Sequence, residues 1–312
     1  PCFGNQSAWG DDHLRSTDFL SAPDGHGWHL DRARFDQWLR AVAQRRGAHC
    51  IGKAQLDHLE PTQDGWHLRL SGIPVNTRFL IDATGRFSPL ARRLGASRTI
   101  EERLICTWIT GRIERDNDAH RDAGFTFIEA VEQGWWYTAP IPGTPLQRIL
   151  AFHTHPQLPP ARTPQALIEA TSDTIELRAI LTRCCFTPGE TARMMVASGS
   201  TLSPCAGQGW LAAGDAAVSF DPLSAQGLLN ALFTGLAGAM TAAEFLQGDH
   251  EAIARYRQTI AGIDAAYQRH RTVFYQSETR WSDAPFWRTT SEPNCAAVVP
   301  PSRQSRLPSG RQ

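Results

Sequence analysis

The sequence predicts an α/β (α+β) fold: a layered domain in two pieces, an antiparallel sheet inserted between them, and a long C-terminal helix. Three observations predict it. Apolar strands near residues 79–84 and 209–213 each run into a glycine turn followed by a helix. Between them, residues 99–200 hold a succession of short apolar strands broken by one amphipathic stretch. After them, Ile253, Tyr256, Ile260, Ile263, Tyr267 and Phe274 fall on one face of a helix over 249–278.

Each element follows from its residues. Residues 1–30 show no long periodicity. Over 30–47, Phe35, Trp38, Leu39 and Val42 recur at helical spacing and Gly47 ends the run. Short strands are expected at 48–60, 65–71 and 78–84, a meander leading to Ala83-Thr84-Gly85. A short capped helix follows, with Ser88 as N-cap, Pro89 as first helical residue and Gly95 as left-handed stop. The sheet strands are expected at 103–113, 124–131, 134–140, 147–154 and 193–201, with one helix at 163–183. Gly207-Gln208-Gly209 leads into a strand and reads as a turn. That strand ends in Gly214-Asp215, and a short loop precedes a small-residue helix from Gly227. From about 289 the chain is rich in Pro, Ser and Arg, and disorder is expected there.

Composition narrows the classes of function. With 312 residues the chain can bury a substantial core. Lys plus Arg equals Asp plus Glu at 31 each, so no long-range field favours nucleic acid or a membrane surface. No run of 18 apolar residues is present and no signal peptide is visible. The seven cysteines lack a Cys-x-x-Cys spacing and fit a reducing cytoplasm, with Cys184 and Cys185 read as two buried thiols near a helix end. His153-Thr154-His155 alternates on a strand but has no Cys or carboxylate companion, and His26-x-x-His29 lacks the Glu and helix of a zincin. No metal site is expected. No nucleophile elbow supports a Ser-His-Asp centre.

The residues around Asp215 carry the most chemistry. A carboxylate at a strand end can accept hydrogen bonds from sugar-like hydroxyls. A helix start offers unpaired N–H groups to an electron-rich ligand. Small side chains let backbone approach a flat cofactor. An ordinary strand–loop–helix with a capping Asp uses the same residues. The run Gly214-Asp215-Ala216-Ala217, with Asp221-Pro222 and Gly227 downstream, resembles the second fingerprint of the FAD-dependent monooxygenase and halogenase superfamily. Asp82-Ala83-Thr84-Gly85 resembles the segment of those proteins that passes the dinucleotide. The resemblance implies that Asp215, beside Gly214, binds the ribityl chain. It implies that Asp221, Pro222, Gln226 and Gly227 form the flavin-facing loop and helix start, and that Asp82 and Gly85 lie along the dinucleotide. Arg32, at the start of the first helix, either faces the cofactor or is solvated or ion-paired. The family's first fingerprint, Gly-x-Gly-x-x-Gly, occurs nowhere in the chain. A βαβ unit of roughly 30 residues is expected upstream of Pro1, or the dinucleotide clamp has been lost. The resemblance thus implies a partial FAD-binding Rossmann-like domain at 1–97, continued at 204–247. An antiparallel substrate domain falls at 98–203, a helical segment at 248–288 and a tail at 289–312.

Within the superfamily two branches compete. Flavin halogenases carry a catalytic lysine and a Trp-x-Trp-x-Ile-Pro signature. Aligned on Ile141-Pro142, this chain has Tyr137 and Ala139 at the tryptophan positions, and Lys53 is its only lysine. Tryptophan halogenases place a glutamate where this chain has Ser224. The flavoproteins that mature quinone-cofactor amine oxidases are more similar. The resemblance is carried by Gly4-Asn5-x-Ser7-Ala8-Trp9-Gly10, Gly27-Trp28-His29-Leu30-Asp31-Arg32, residues 221–227 and Arg280-Trp281-x-x-x-Pro285-Phe286-Trp287. It implies oxygenation of an electron-rich ring, with NADPH or a separate flavin reductase supplying electrons. The partner is a tryptophan of another protein or a small aromatic molecule. The alternatives are a hydroxylase or halogenase of a small aromatic, and a non-catalytic remnant that binds a partner. No catalytic residue is identified. Trp9, Trp28, Trp135 and Trp136 read as core packing ahead of substrate stacking.

Overall fold

A computed structural model of the chain describes residues 1–19, 23–114, 124–143, 146–158, 161–291 and 297–299. The chain forms two compact units. The first takes Pro1–Gly52, Arg103–Ala197 and the segment from Thr272; the second takes Lys53–Glu102, Ser198–Arg271 and a C-terminal strand.

In chain order, β1 (Gly4–Ala8) and β2 (Arg15–Asp18) form an antiparallel pair. The helix α1 (Arg32–Arg45) starts at Asp31, whose carboxylate accepts the Arg34 amide at 3.1 Å. Its apolar residues have helical spacing, yet none is fully buried. In the second unit, β3 (Leu56–Thr62), β4 (Gly65–Leu70) and β5 (Ile73–Thr77) form the expected meander, one strand longer than the spacing indicated. Then come β6 (Leu80–Asp82), α2 (Pro89–Arg93) and β7 (Ser97–Ile100). Gly95 is left-handed at φ +91°, as its stop role requires.

The first unit resumes with β8 (Ile105–Arg112), β9 (Phe125–Val131), β10 (Gly134–Ile141) and β11 (Gln147–Thr154). After them come α3 (Pro164–Glu169), α4 (Glu176–Arg183), β12 (Thr187–Pro188) and β13 (Arg193–Val196). An eight-stranded sheet runs β12-β8-β11-β10-β9-β1-β2, with β13 also on β8, and only β1–β9 is parallel. The N-terminal strand therefore belongs to this sheet. Ile109, Phe127 and Leu150 from the sheet pack against Leu167, Leu177 and Ile180 from the helices. Burying each such side chain stabilises by about 1.5–3 kcal/mol.

Two expectations need correction here. The helix predicted over 163–183 is broken: a 3-10 turn occupies Ala170–Asp173, and α4 restarts beyond it. Thr171 and Thr174 hydroxyls donate to the Ile168 and Thr171 carbonyls, both at 2.7 Å. Glu129 of β9 then accepts the Ile175 and Leu177 amides at 2.8 and 2.7 Å, capping the second helix from across the sheet. At the end of α4, Cys184 is buried but Cys185, at φ +47°, is exposed.

In the second unit follow β14 (Ser200–Ser203), β15 (Ala206–Gly207), β16 (Trp210–Ala212) and β17 (Val218–Ser219). The strand predicted over 193–201 is therefore two strands, β13 on β8 and β14 on β7. Next are α5 (Gly227–Leu246), α6 (Ala252–Gln276), α7 (Pro285–Ser291) and β18 (Ala297–Val299). Part of the tail expected to be disordered thus has structure, since α7 reaches Ser291 and β18 pairs with β7; the rest lies outside the described residues. Besides the meander β3-β4-β5, one sheet has the order β15-β16-β6, with β16 parallel to β6, and another runs β17-β14-β7-β18.

The core of this unit gathers Leu80, Leu202, Trp210, Leu211, Val218, Tyr256, Ile260 and Tyr267. The helix α5 buries Thr234, Gly238, Thr241 and Ala242, one stripe at helical spacing. A Cβ on Gly238 would lie 2.9 Å from Leu211 Cδ1, so glycine permits this close approach to β16. Its other face exposes Leu229, Leu232, Phe233, Leu236 and Met240. By length and composition alone α5 is apolar enough to cross a membrane, with a mean hydropathy of 1.2 over 18 residues.

Candidate cofactor site

Parallel pairing of β6 with β16 sets Asp82 opposite Ala212, so both strands deliver their carboxyl ends to one edge. Open α/β sheets bind ligands at that edge. What the two acids do there differs. Asp82 is fully buried, and Oδ1 accepts the Thr84 amide and hydroxyl at 3.0 and 2.5 Å. Its Oδ2 accepts the Ala91 amide at 2.8 Å. Asp82 thus builds the turn and caps α2. This corrects the N-cap expected of Ser88, which sits at φ +36° with no capping bond. Its hydroxyl instead accepts Arg98 at 3.0 Å. Gly85, at φ +77°, has open space where a side chain would stand.

Asp215 follows Gly214, which is left-handed at φ +60° and donates its amide to Thr234 Oγ1 of α5 at 2.8 Å. The Asp215 side chain is 36% exposed, and Arg86 Nε lies 3.4 Å from its carboxylate. Arg86 also donates to the Ser198 carbonyl and, at 3.0 Å, to the Phe220 carbonyl. Beneath the turn, Arg98 donates to the Asp215 carbonyl at 3.2 Å, to the Ala216 carbonyl, and to Ser200 Oγ at 2.8 Å. Burial pushes the Arg98 guanidinium down to about 10, against the pull of Asp215 and Asp82. The sequence reading missed Arg86, Arg98 and Thr234. Arg86 directly follows Ala83-Thr84-Gly85, but nothing in the pattern marks its partners, which are more than 100 residues away.

The loop after β17 is built by Asp221. Its buried carboxylate accepts the Leu223 amide at 2.8 Å and starts a 3-10 turn, Pro222–Ser224. Its own amide donates to Tyr267 Oη at 2.8 Å, and Ser224 Oγ donates to its carbonyl at 2.8 Å. Ala225 turns left-handed at φ +52°, and α5 begins at Gly227 after Gln226, with no side-chain cap. Gly227 has open space on its Cβ side. A 20-residue helix with uncapped first-turn amides presents partial positive charge at that end. Arg86, holding Asp215 and Phe220 together, brings the turn and the loop into one neighbourhood.

These residues fit a polyol-linked flat cofactor. Asp215 keeps a partly exposed carboxylate, Gly85 and Gly227 have open space at their Cβ positions, and Gln226 gives α5 no side-chain cap. The fit concerns Asp215, Gly214, Gly85, Asp221, Pro222, Gln226 and Gly227. Arg32 is in the first unit, exposed, and paired with Asp36 at 3.4 Å, which is the ion-paired alternative of the sequence reading.

The first unit offers less chemistry. A shallow depression of about 430 Å3 against α3 and α4, lined in part by Ile168, Arg178, Leu181 and Phe186, contains no motif residue. Trp135 and Trp136 are 1% exposed and belong to the core, whereas Trp28 is exposed. Trp135 stacks on His153 at 3.6 Å and donates to Tyr275 Oη at 3.1 Å. Burial pushes His153 down to about 3. Among the described residues no three His, Cys, Asp or Glu side chains gather as metal ligands.

One strand end carrying Gly-Asp, another running into Ala-Thr-Gly, a helix start without a side-chain cap and a unit built on a large antiparallel sheet fit one class, the flavin-dependent oxidoreductases of the halogenase and monooxygenase type. The chain belongs to the tryptophan halogenase family, whose model matches residues 13–300. It is 25% identical over 296 residues to LodB of Marinomonas mediterranea, whose name assigns it as an FAD-dependent oxidoreductase. That match covers 92% of this chain and 78% of LodB. The fold is similar to that of CmlS, a flavin-dependent halogenase, with a TM-score of 0.73 at 20% identity, covering 93% of this chain and 55% of that one. It is also similar to QhpG, a peptidyl tryptophan dihydroxylase essential for tryptophylquinone cofactor biogenesis. There the TM-score is 0.70 at 20% identity, covering 92% of this chain and 63% of QhpG. The chain therefore spans less than two thirds of either solved structure.

Proposed function

We propose that this chain is part of an FAD-dependent oxygenase that acts on an electron-rich aromatic ring, with a tryptophan of a partner protein as its substrate class. The observation that carries the reading is Asp215: an accessible carboxylate at a parallel strand end, next to a left-handed glycine and an uncapped helix start. In this reading Asp215 accepts hydrogen bonds from the ribityl hydroxyls. Gly214 and Gly85 let the backbone approach the cofactor. Asp221 and Pro222 shape the wall beside the ring, and the helix start at Gln226 and Gly227 faces its electron-rich edge. Asp82, by bonding Thr84 and Ala91, would shape the turn that passes the dinucleotide. Bound FAD would supply the activation of O2, with electrons from NADPH or a separate flavin reductase. Arg86 holds Asp215 in register until the polyol binds.

The choice of substrate rests on similarity to LodB and QhpG. A small-aromatic halogenase is the second reading, supported by the fold of CmlS. Against it, Lys53 lies in an exposed turn at φ +54°, in the meander segment. A cytoplasmic site of action is the reading that the loosely spaced cysteines, without a Cys-x-x-Cys pair, support.

The test is the visible spectrum of the purified full chain after incubation with FAD and gel filtration. Retained oxidised-flavin bands that are lost in Asp215→Ala support the reading. Bands unchanged in that variant overturn the assignment of Asp215. Incubation with a tryptophan-bearing partner subunit and with free aromatic substrates, read by mass, separates the two substrate classes.

A further inference from the structure

The eight-stranded sheet of the first unit has two edges of opposite character. At one, β2 reads Arg-Ser-Thr-Asp, polar throughout, with Arg15 paired to Asp11 at 2.5 Å. Polar and charged residues blunt an edge against pairing with another chain. At the other, β13 reads Arg193-Met194-Met195-Val196, and all four residues are exposed. Met194, Met195 and Val196 are 54%, 55% and 55% exposed. Successive side chains alternate between faces, so both faces of this strand stand open. Among the described residues β13 pairs with β8 alone. The register sets Arg193 opposite Trp108 and Met195 opposite Cys106, and the Ala197 amide donates to the Leu104 carbonyl at 2.8 Å. Bonded and non-bonded pairs alternate in an antiparallel ladder, so Arg193 and Met195 bond β8 as Ala197 does. The amides and carbonyls of Met194 and Val196 therefore point outward, toward no strand. Arg193 lies over the Trp108 ring, 5.3 Å from its centroid, which holds the cation along the edge. No carboxylate pairs with it among the described residues.

We propose that β13 is a docking edge for an extended segment of a partner protein, which adds to the sheet as a further strand. That segment sets an acidic residue opposite Arg193 and apolar residues opposite Met194, Met195 and Val196. Identifying the partner with the protein that carries the substrate tryptophan rests on the functional reading above; the strand addition does not. Backbone bonds to Met194 and Val196 supply affinity, and the side chains beside them supply the choice of sequence. Methionine suits this role because its unbranched thioether adapts to differently shaped neighbours. A second copy of this chain fits less well. Two-fold pairing centred on Met194 or on Met195 sets Arg193 opposite Met195 or Ala197 and brings it no acid. An acidic strand from a different protein satisfies the outward backbone, the apolar side chains and the cation together.

The experiment titrates the full chain with two fluorescein-labelled peptides, Ser-Ser-Asp-Val-Val-Val-Ser-Ser and Ser-Ser-Val-Val-Val-Asp-Ser-Ser, which cover both strand directions. Anisotropy reads binding, and hydrogen–deuterium exchange reads its place. One of the peptides should bind and slow exchange at the Met194 and Val196 amides. The Arg193 and Met195 amides, already bonded to β8, should not change. Replacing the peptide Asp by Lys should weaken binding about tenfold. Arg193→Glu, at an exposed position, should reverse that preference, and methylating alternate peptide amides should abolish binding. No binding up to about 1 mM peptide overturns the proposal and leaves Arg193 as a charge that merely blunts the edge. Binding without a change at Met194 and Val196, or equal affinity for the Asp and Lys peptides, overturns it as well. So does a dimer in sedimentation that protects these amides without peptide, since the occupant is then a second copy. A peptide with Trp added that docks at this edge and is not oxidised by the FAD-loaded chain overturns only the link to the substrate. Loss of FAD retention with docking intact overturns the cofactor reading and not the edge.

Discussion

Arg98→Met removes one buried cation and leaves five oxygens that had been its acceptors. Arg98 is 6% exposed, and its guanidinium serves Ser88, Ser200 and the carbonyls of Asp215 and Ala216. Ser200 Oγ keeps a partner in Ser219 Oγ at 2.7 Å, but Ser88 is fully buried and the Ala216 carbonyl sits in a buried turn. Each buried acceptor left unsatisfied costs about 1–3 kcal/mol. Against this, burial that lowers the guanidinium from 12.5 to about 10 costs roughly 3 kcal/mol, and methionine escapes that cost. Three orphaned acceptors at about 2 kcal/mol each, set against that relief, leave a net destabilisation of about 3 kcal/mol. At about 2–4 °C per kcal/mol, the melting temperature should drop by roughly 6–12 °C. Differential scanning calorimetry measures the drop, and flavin titration well below the melting temperature measures whether the Asp215 turn has moved. A melting temperature within about 1 °C of wild type would refute the idea that Arg98 holds the turn. A double-mutant cycle with Ser88→Ala should show coupling, since the two share a 3.0 Å bond.

Further outcomes are expected. Asp215→Ala should abolish flavin retention while changing stability by less than about 1 kcal/mol, because its one ion pair is partly exposed; calorimetry alongside the spectrum checks both. In native labelling with a maleimide mapped by mass spectrometry, Cys50 and Cys185 should react first. Cys106 and Cys205, whose thiols burial pushes up to about 12 and about 11, should react only on unfolding. His153 is held down to about 3 while the unfolded chain titrates near 6.5, so the unfolded state binds the extra proton between those values. Stability should fall as pH drops below 6.5, by at most about 1.4 kcal/mol per pH unit, and His153→Phe should flatten that slope in urea melts. Gly111→Ala places a Cβ 2.5 Å from the Thr187 carbonyl and 2.4 Å from Phe186 Cζ, and should cost about 1–3 kcal/mol in the same assay.

Much of this architecture is legible in local pattern. The strands of the large sheet lie within a few residues of their expected bounds because alternation and flanking turns are local signals. The Gly214-Asp215 turn was found for the same reason: strand, glycine, acid and small-residue helix are contiguous. What was missed depends on partners distant in sequence. The break between α3 and α4 is fixed by Glu129, 46 and 48 residues before the amides it caps. Ser88 satisfies every local rule for an N-cap, yet Asp82 occupies that role because Oδ2 reaches the Ala91 amide first. Arg86 and Arg98 are two arginines among 31 basic residues, and their acceptors lie on strands and turns that only the fold assembles.

Three acids stood out as cofactor ligands in the sequence, and burial divides their labour. Asp82 and Asp221 are each about 1% exposed, and their carboxylates accept backbone amides at 2.8–3.0 Å. A carboxylate committed to such amides stabilises the turn it sits in, and giving it up would orphan buried donors. Asp215 is different: its carboxylate is 36% exposed and held by a single looser contact at 3.4 Å to Arg86. Exchanging that contact for ligand hydroxyls leaves no buried amide unpaired, because Arg86 keeps the Ser198 and Phe220 carbonyls. On the proposed reading, the two buried acids shape the cradle and the partly exposed one is left for the ligand. This is the arrangement expected where backbone must be rigid and a single side chain must change partners on binding.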